Sequence, residues 1–86
     1  MTSSTANRSL LRPRAAAVLV ERDSLRVRLR DGRELVVPIE WFGWLASASA
    51  RDRLDVRIVE DGAGLWWEGL EDGVSVPWLF GVPEVD

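Results

Sequence analysis

Three groups of side chains in this 86-residue chain are of types that could do chemistry. Glu68, Glu71 and Asp72 follow an aromatic pair, and clustered carboxylates can hold Mg²⁺ or Ca²⁺ or act as acid and base. A calcium loop of the EF-hand kind needs oxygen ligands at alternate positions and a closing Glu. This segment lacks both, so a solvated acidic loop without a metal is expected. Arg26, Arg28 and Arg30 alternate with Leu25, Val27 and Leu29. On a strand they would form one stripe with a spacing of about 7 Å, with Arg33 near its end, able to track phosphates. The competing reading pairs that stripe with the chain's own acids. Five tryptophans form the third group, and Trp is enriched where a few residues carry most of a binding energy. Gly62 and Gly64 imitate part of a phosphate-binding glycine motif, but they join two strands and open no helix, so they read as a turn.

The missing residue types narrow the chemistry further. The chain has no histidine, cysteine, lysine or tyrosine. Disulfide frameworks, Cys/His zinc sites, Cys/His nucleophile pairs, imidazole acid-base work and Schiff-base lysines are thereby excluded. No cofactor is implied, and a non-enzymatic protein is expected. Fourteen acids against eleven arginines give a net charge of −3. All the arginines lie in residues 1–57, whereas residues 58–86 carry acids and no base. The two charge sets are expected to pair across the protein's own surface rather than serve nucleic acid. No apolar run approaches the roughly 20 residues of a membrane span, and the N-terminus lacks the apolar core of a secretory signal. Arginine used to the exclusion of lysine points to a GC-rich bacterial genome, so a bacterial cytoplasmic protein is expected.

Residues 1–14 have little apolar content and read as a disordered basic tail, with a second, acidic tail at 83–86 and a single domain over 15–82 between them. Ala15 to Glu21 suits a strand, and Leu25 to Arg30 alternates strictly, burying Leu25, Val27 and Leu29. Asp31-Gly32 signals a hairpin turn into Glu34-Leu35-Val36-Val37. A three-residue loop, Asp31 to Arg33, would set Leu29 across from Leu35, Val27 across from Val37 and Arg30 across from Glu34. After Pro38, the spacing of Trp41, Trp44, Leu45 and Ala48 reads as one face of a helix, with Gly43 marking close packing or an irregular turn. Ser49 to Arg53 reads as a capped single turn. Leu54 to Glu60 alternates again, with Leu54, Val56 and Ile58 inward, and Leu65 to Glu68 returns from a glycine turn. Adjacent Trp66 and Trp67 must face opposite sides of the sheet, so one is core. Gly69 to Gly73 reads as an acidic loop. Ser75 can cap a short closing helix, with Pro77 in its first turn and Gly81 after its end.

Taken together, Leu29-Arg30-Asp31-Gly32-Arg33-Glu34-Leu35, Val37-Pro38-Ile39-Glu40-Trp41-Phe42, Gly64-Leu65-Trp66-Trp67 and Val74-Ser75-Val76 resemble the bacterial domain of unknown function 2442 (DUF2442) family. The resemblance covers roughly residues 15 to 82. It implies a small α+β domain, and the family's activity is not established. Some members resemble regulators through an attached helix-turn-helix, for which this chain has no room. Others stand beside a small partner in what looks like a toxin and antitoxin pair. Trp66-Trp67 stands where the family tends to show a His-Trp pair, so a role resting on that histidine does not carry over. Leu70-Glu71-Asp72-Gly73 keeps two carboxylates of the family's acidic loop.

The expected fold is α+β: one antiparallel sheet of four to five strands, with a Trp-bearing helical segment and a short C-terminal helix covering one face. The expected function is a non-enzymatic protein-interaction module, an antitoxin-like or regulatory partner of a neighbouring protein; the expected partner is another protein chain, the product of an adjacent gene or a second copy of itself. Trp41, Trp44 and one of the Trp66/Trp67 pair are assigned to the core. Trp67 and Trp78 are assigned to the partner, with Arg26, Arg28, Arg30, Glu71 and Asp72 supplying charge complementarity. The alternative is a nucleic-acid-associated regulator acting through the arginine stripe.

Overall fold

The structure, a computed structural model, describes residues 13–81; residues 1–12 and 82–86, which hold most of the two expected tails, lie outside the described residues. Two three-stranded antiparallel meanders form around one core. The first consists of β1 (Ala15–Val20), β2 (Ser24–Leu29) and β3 (Glu34–Pro38). A 3-10 turn (Ile39–Trp41), helix α1 (Gly43–Ala46) and helix α2 (Ala50–Leu54) carry the chain across to the second. That sheet comprises β4 (Val56–Val59), β5 (Gly64–Trp67) and β6 (Asp72–Ser75), with 3-10 turns at Glu60–Gly62 and Glu68–Leu70, and helix α3 (Val76–Leu79) closes the fold. The α+β class holds, but the single sheet of four to five strands is replaced by two sheets of three.

Alternation decides the first sheet. Leu25, Val27, Leu29 and Val37 are buried, while Arg28, Glu34 and Val36 face outward. The observed register sets Val27 opposite Leu35, Leu25 opposite Val37 and Arg28 opposite Glu34. The buried face is the expected one, but the pairing is two residues off. The cause lies in the turn. Its loop is Arg30 to Gly32: the Gly32 N–H donates to the Leu29 carbonyl at 3.0 Å, and the Leu29 N–H donates to the Arg33 carbonyl at 2.7 Å. This is a type I turn closed by a left-handed residue, and Gly32 supplies φ 97° without a Cβ penalty. Asp31 fixes the turn by accepting from the Arg33 backbone N–H at 3.0 Å and from Arg33 Nε at 2.9 Å.

The fold begins two residues earlier than the composition indicates. Pro13 is fully buried, and the Arg14 carbonyl accepts from the Arg30 N–H at 3.0 Å. Gly62 seats this entry against the second sheet. A Cβ there would lie 3.0 Å from the Ala15 backbone, and its φ of 92° suits glycine.

The single helix expected after Pro38 is instead two turns broken at Phe42, which is extended at φ −118°, ψ 94°. Buried Ile39, Phe42 and Leu45 recur every three residues, the 3-10 period rather than 3.6. The break rotates Trp41 out of the core, where it had been expected, and leaves it 61% exposed. Gly43 has no neighbour where a Cβ would stand, so it marks the irregular turn and not a close contact. Leu54 ends α2 and is exposed instead of opening a strand inward; Ile58 is exposed as well, and Val56 is half-buried. The expected cap of α2 is present, with Ser49 Oγ accepting from the Asp52 N–H at 3.1 Å, a contribution of about 1 kcal/mol.

The second sheet's core face carries Leu65 and Trp67. Trp67 packs edge-on to Trp44 at 5.3 Å between ring centres, a pair worth about 1 kcal/mol beyond its burial. Trp66 lies on the opposite face, over Gly73, its cross-strand partner. Asp72 and Gly73, read as loop, are in fact the start of β6, which pairs with β5. Helix α3 matches expectation: Ser75 Oγ accepts from the Trp78 N–H at 3.2 Å, Pro77 stands in the first turn, and Gly81 follows at φ 75°. No helix among the described residues is long and apolar enough to cross a membrane.

Candidate interaction surface

The residues singled out by their chemistry separate into four places. Trp67 is fully buried, and its indole N–H donates to the Arg53 carbonyl at 2.8 Å. A partner could reach it only by unfolding the domain, so its assignment to a docking surface is corrected. The pair's other member, Trp66, is half-buried, and its indole N–H donates to Glu68 Oε1 at 3.1 Å. Trp78 is 57% exposed on α3.

The aromatic side chains form a chain from core to surface. Trp67 touches Trp44, Trp44 lies 6.0 Å from Phe42, and Phe42 lies 6.3 Å from Trp78. Phe42 is buried, so the exposed indole of Trp78 rests on a fixed support. Val76 and Leu79 anchor α3 in the core beneath it. Trp41 projects from the residue preceding Phe42. Two large exposed indoles are thus tied to one buried ring, Trp78 by ring contact and Trp41 as its neighbour in the chain. Arg33, whose guanidinium carbon lies 5.7 Å from the Phe80 ring centre, sets a cation beside the residue that ends α3. Sequence reasoning missed Trp41. The signal that could have found it is the spacing of three in Ile39, Phe42 and Leu45, which leaves Trp41 off the buried line.

The arginine stripe is largely neutralised by the protein itself. Arg26 hydrogen-bonds Glu34 at 2.9 Å and Glu21 at 3.4 Å. The Glu34 bond, together with the charges of both carboxylates, holds the Arg26 guanidinium still more firmly protonated than usual. Arg30 lies beyond β2, in the turn, and reaches across to the second sheet, bonding Asp61 Oδ1 at 3.0 Å and the Asp61 carbonyl at 3.1 Å. Arg14 approaches the same carboxylate at 3.9 Å. The Arg30 hydrogen bond, aided by the charges of Arg30 and Arg14, holds the Asp61 carboxyl below the usual range. Arg28 is exposed and has no carboxylate partner among the described residues. It stands between Ala17 and Glu34 on the outer face, in a shallow groove of about 200 Å³ whose lining also includes Leu19 and Arg26. The charge sets therefore do pair across the surface: Arg26 uses acids of its own sheet, while Arg30, Arg14 and Arg57 use acids of the C-terminal third.

The three carboxylates after the aromatic strand do not converge. Glu68 Oε1 accepts from Arg57 at 2.6 Å and from Trp66. Asp72 Oδ1 accepts from the Gly73 N–H at 2.8 Å. Glu71 is exposed at φ 50°. No group of three metal-ligating side chains occurs among the described residues. Arg53, unremarked in the sequence, is a structural hub: its guanidinium donates to the carbonyls of Leu45, Ala46 and Arg22.

A solved structure of a protein of unknown function from Rhodospirillum rubrum ATCC 11170 superposes with a TM-score of 0.73 at 31% sequence identity, covering 86% of this chain and 93% of that one. No protein of curated function matches the chain. The model of the family described as "Protein of unknown function (DUF2442)" matches residues 15–80, and the chain belongs to that family.

Proposed function

We propose that the protein is a non-enzymatic interaction module that docks on a partner protein through Trp78 and Trp41 and thereby regulates it. The observation that carries this reading is the exposure of both indoles, 57% for Trp78, which packs on buried Phe42, and 61% for Trp41, the residue before it. Burying an aromatic side chain is worth about 1.5–3 kcal/mol, and two such anchors on a preorganised base bind with little ordering cost. The charges nearby set orientation rather than affinity. Arg26 and Arg30, held by Glu34, Glu21 and Asp61, contribute little free positive charge for a phosphate backbone.

The test compares the native chain with Trp78→Ala and Trp41→Ala as baits in their own host's extract. A companion retained stoichiometrically by the native chain and lost by Trp78→Ala, with the circular dichroism spectrum and melting temperature unchanged, supports the reading. Equal retention by all three baits contradicts it.

A further inference from the structure

We infer that two copies of this chain join edge to edge through β3, turning two three-stranded sheets into one continuous six-stranded sheet. The argument starts from the phase of the β2–β3 ladder. The Leu29 N–H bonds the Arg33 carbonyl at 2.7 Å at one end, and the Ile39 N–H bonds the Asp23 carbonyl at 3.0 Å at the other. Antiparallel hydrogen-bonded pairs alternate, so Val27/Leu35 and Leu25/Val37 are the bonded pairs between them. The N–H and C=O groups of Glu34 and Val36 therefore point away from β2. Pro38 falls on the same outward phase, where its missing N–H leaves no bond to β2 unmade.

The other edges are guarded. β1 carries a bulge between Ala15 and Ala17 and packs against β4. β6 has four residues and runs directly into α3. β3 lies at the edge of its sheet with neither device, and its central residue, Val36, is 45% exposed. An open edge of this kind is a template for another strand.

The side chains of β3 fit a second β3. With a two-fold axis at Val36, Val36 faces its own copy, Leu35 faces Val37 of the other chain, and Glu34 faces Pro38. Four main-chain bonds close the seam, two between the Val36 residues and one from each Glu34 N–H to the opposite Pro38 carbonyl. A register centred on Leu35 makes as many bonds but sets buried Val37 against Arg33, so matching of apolar partners selects the first. Charge also permits the contact, because Glu34 is already held by Arg26 at 2.9 Å and no like charges meet. This dimer uses neither Trp41 nor Trp78.

Amide exchange of the full-length chain at two concentrations tests the inference. The seam is small, so its dissociation constant should fall in the high micromolar range. The Val36 and Glu34 amides should exchange about two- to threefold more slowly at about 1 mM than at about 10 µM, while sedimentation shows the average mass rising from the monomer's toward the dimer's. Val36→Lys, which leaves the main-chain ladder to β2 untouched and sets two ammonium groups face to face, should stay monomeric and folded, its melting temperature lowered only slightly by the Arg26 charge opposite it. Val36→Thr should still dimerise. A native chain that is monomeric at the higher concentration, or a Val36→Lys dimer as tight as the native one, overturns it. So does Val36 amide exchange that is independent of concentration, and a seam strand supplied by another protein would then be the occupant to seek.

Discussion

The indole N–H of Trp67 donates to the backbone carbonyl of Arg53 at 2.8 Å. Through this one bond the most buried large side chain of the second sheet is fastened to the residue that gathers the first sheet's connections. The Arg53 guanidinium caps α1 by donating to the Leu45 and Ala46 carbonyls and reaches the β1–β2 turn at the Arg22 carbonyl. The aromatic base beneath Trp78 depends on this joint, because Trp67 supports Trp44, which in turn supports Phe42.

Removing either partner should therefore weaken the whole domain. Trp67→Phe keeps most of the apolar volume but orphans the Arg53 carbonyl, and should cost about 1–3 kcal/mol in urea unfolding. Arg53→Ala should cost a similar amount, about 1.5–3 kcal/mol. Arg53→Lys should recover only part of it, because one ammonium cannot serve three carbonyls that lie in different directions.

Two glycines with opposite surroundings should respond in opposite ways to alanine. At Gly73 a Cβ would stand 2.6 Å from the Leu65 carbonyl oxygen and 2.9 Å from Trp66 Cε3, so backbone must move. Gly73→Ala should destabilise by about 1–3 kcal/mol. At Gly43 nothing lies within 4 Å of the added carbon. Gly43→Ala should be neutral or stabilise by up to about 1 kcal/mol through helix propensity. Thermal melts of the two variants check the pair.

Acid should loosen the joint between the sheets. The Asp61 carboxyl is held below its unfolded value by the Arg30 hydrogen bond and the charges of Arg30 and Arg14. Its contribution to stability is thus fully present above the unfolded value, near pH 4, and is lost as pH falls through the folded value. Asp31 behaves likewise, chiefly through the Arg33 backbone N–H. Urea midpoints measured between pH 7 and pH 2.5 should fall more steeply for the native chain than for Asp61→Asn. Parallel curves would show that Asp61 contributes nothing.

The sequence was legible where a period acts locally and illegible where geometry is set by distant contacts. Alternation from Leu25 to Leu29 fixes which face of β2 is buried, because a one-residue slip exposes every apolar side chain. It cannot fix the pairing with β3, since a two-residue shift preserves the faces, and the Gly32 bulge decided it. Trp41 and Trp44 matched a 3.6-residue stripe, but the break at Phe42 changed the period to three. Which of Trp66 and Trp67 is core depends on Trp44 and Arg53, both far along the chain. The division into two sheets rests on α1 and α2 carrying the chain sideways, for which no local signal exists. Trp78 was correctly placed as exposed because its cap, Ser75, and its anchors, Val76 and Leu79, lie within four residues of it.

Hydroxyl-radical footprinting of the complex purified at low salt, with its composition read by native mass spectrometry and its 260/280 nm absorbance ratio, tests the docking claim most directly. The account predicts a stoichiometric protein companion and oxidation of Trp78 and Trp41 that falls several-fold on binding, with Trp66 unchanged. Nucleic acid as the sole companion, or equal oxidation of Trp78 in the free and bound chain, would contradict it.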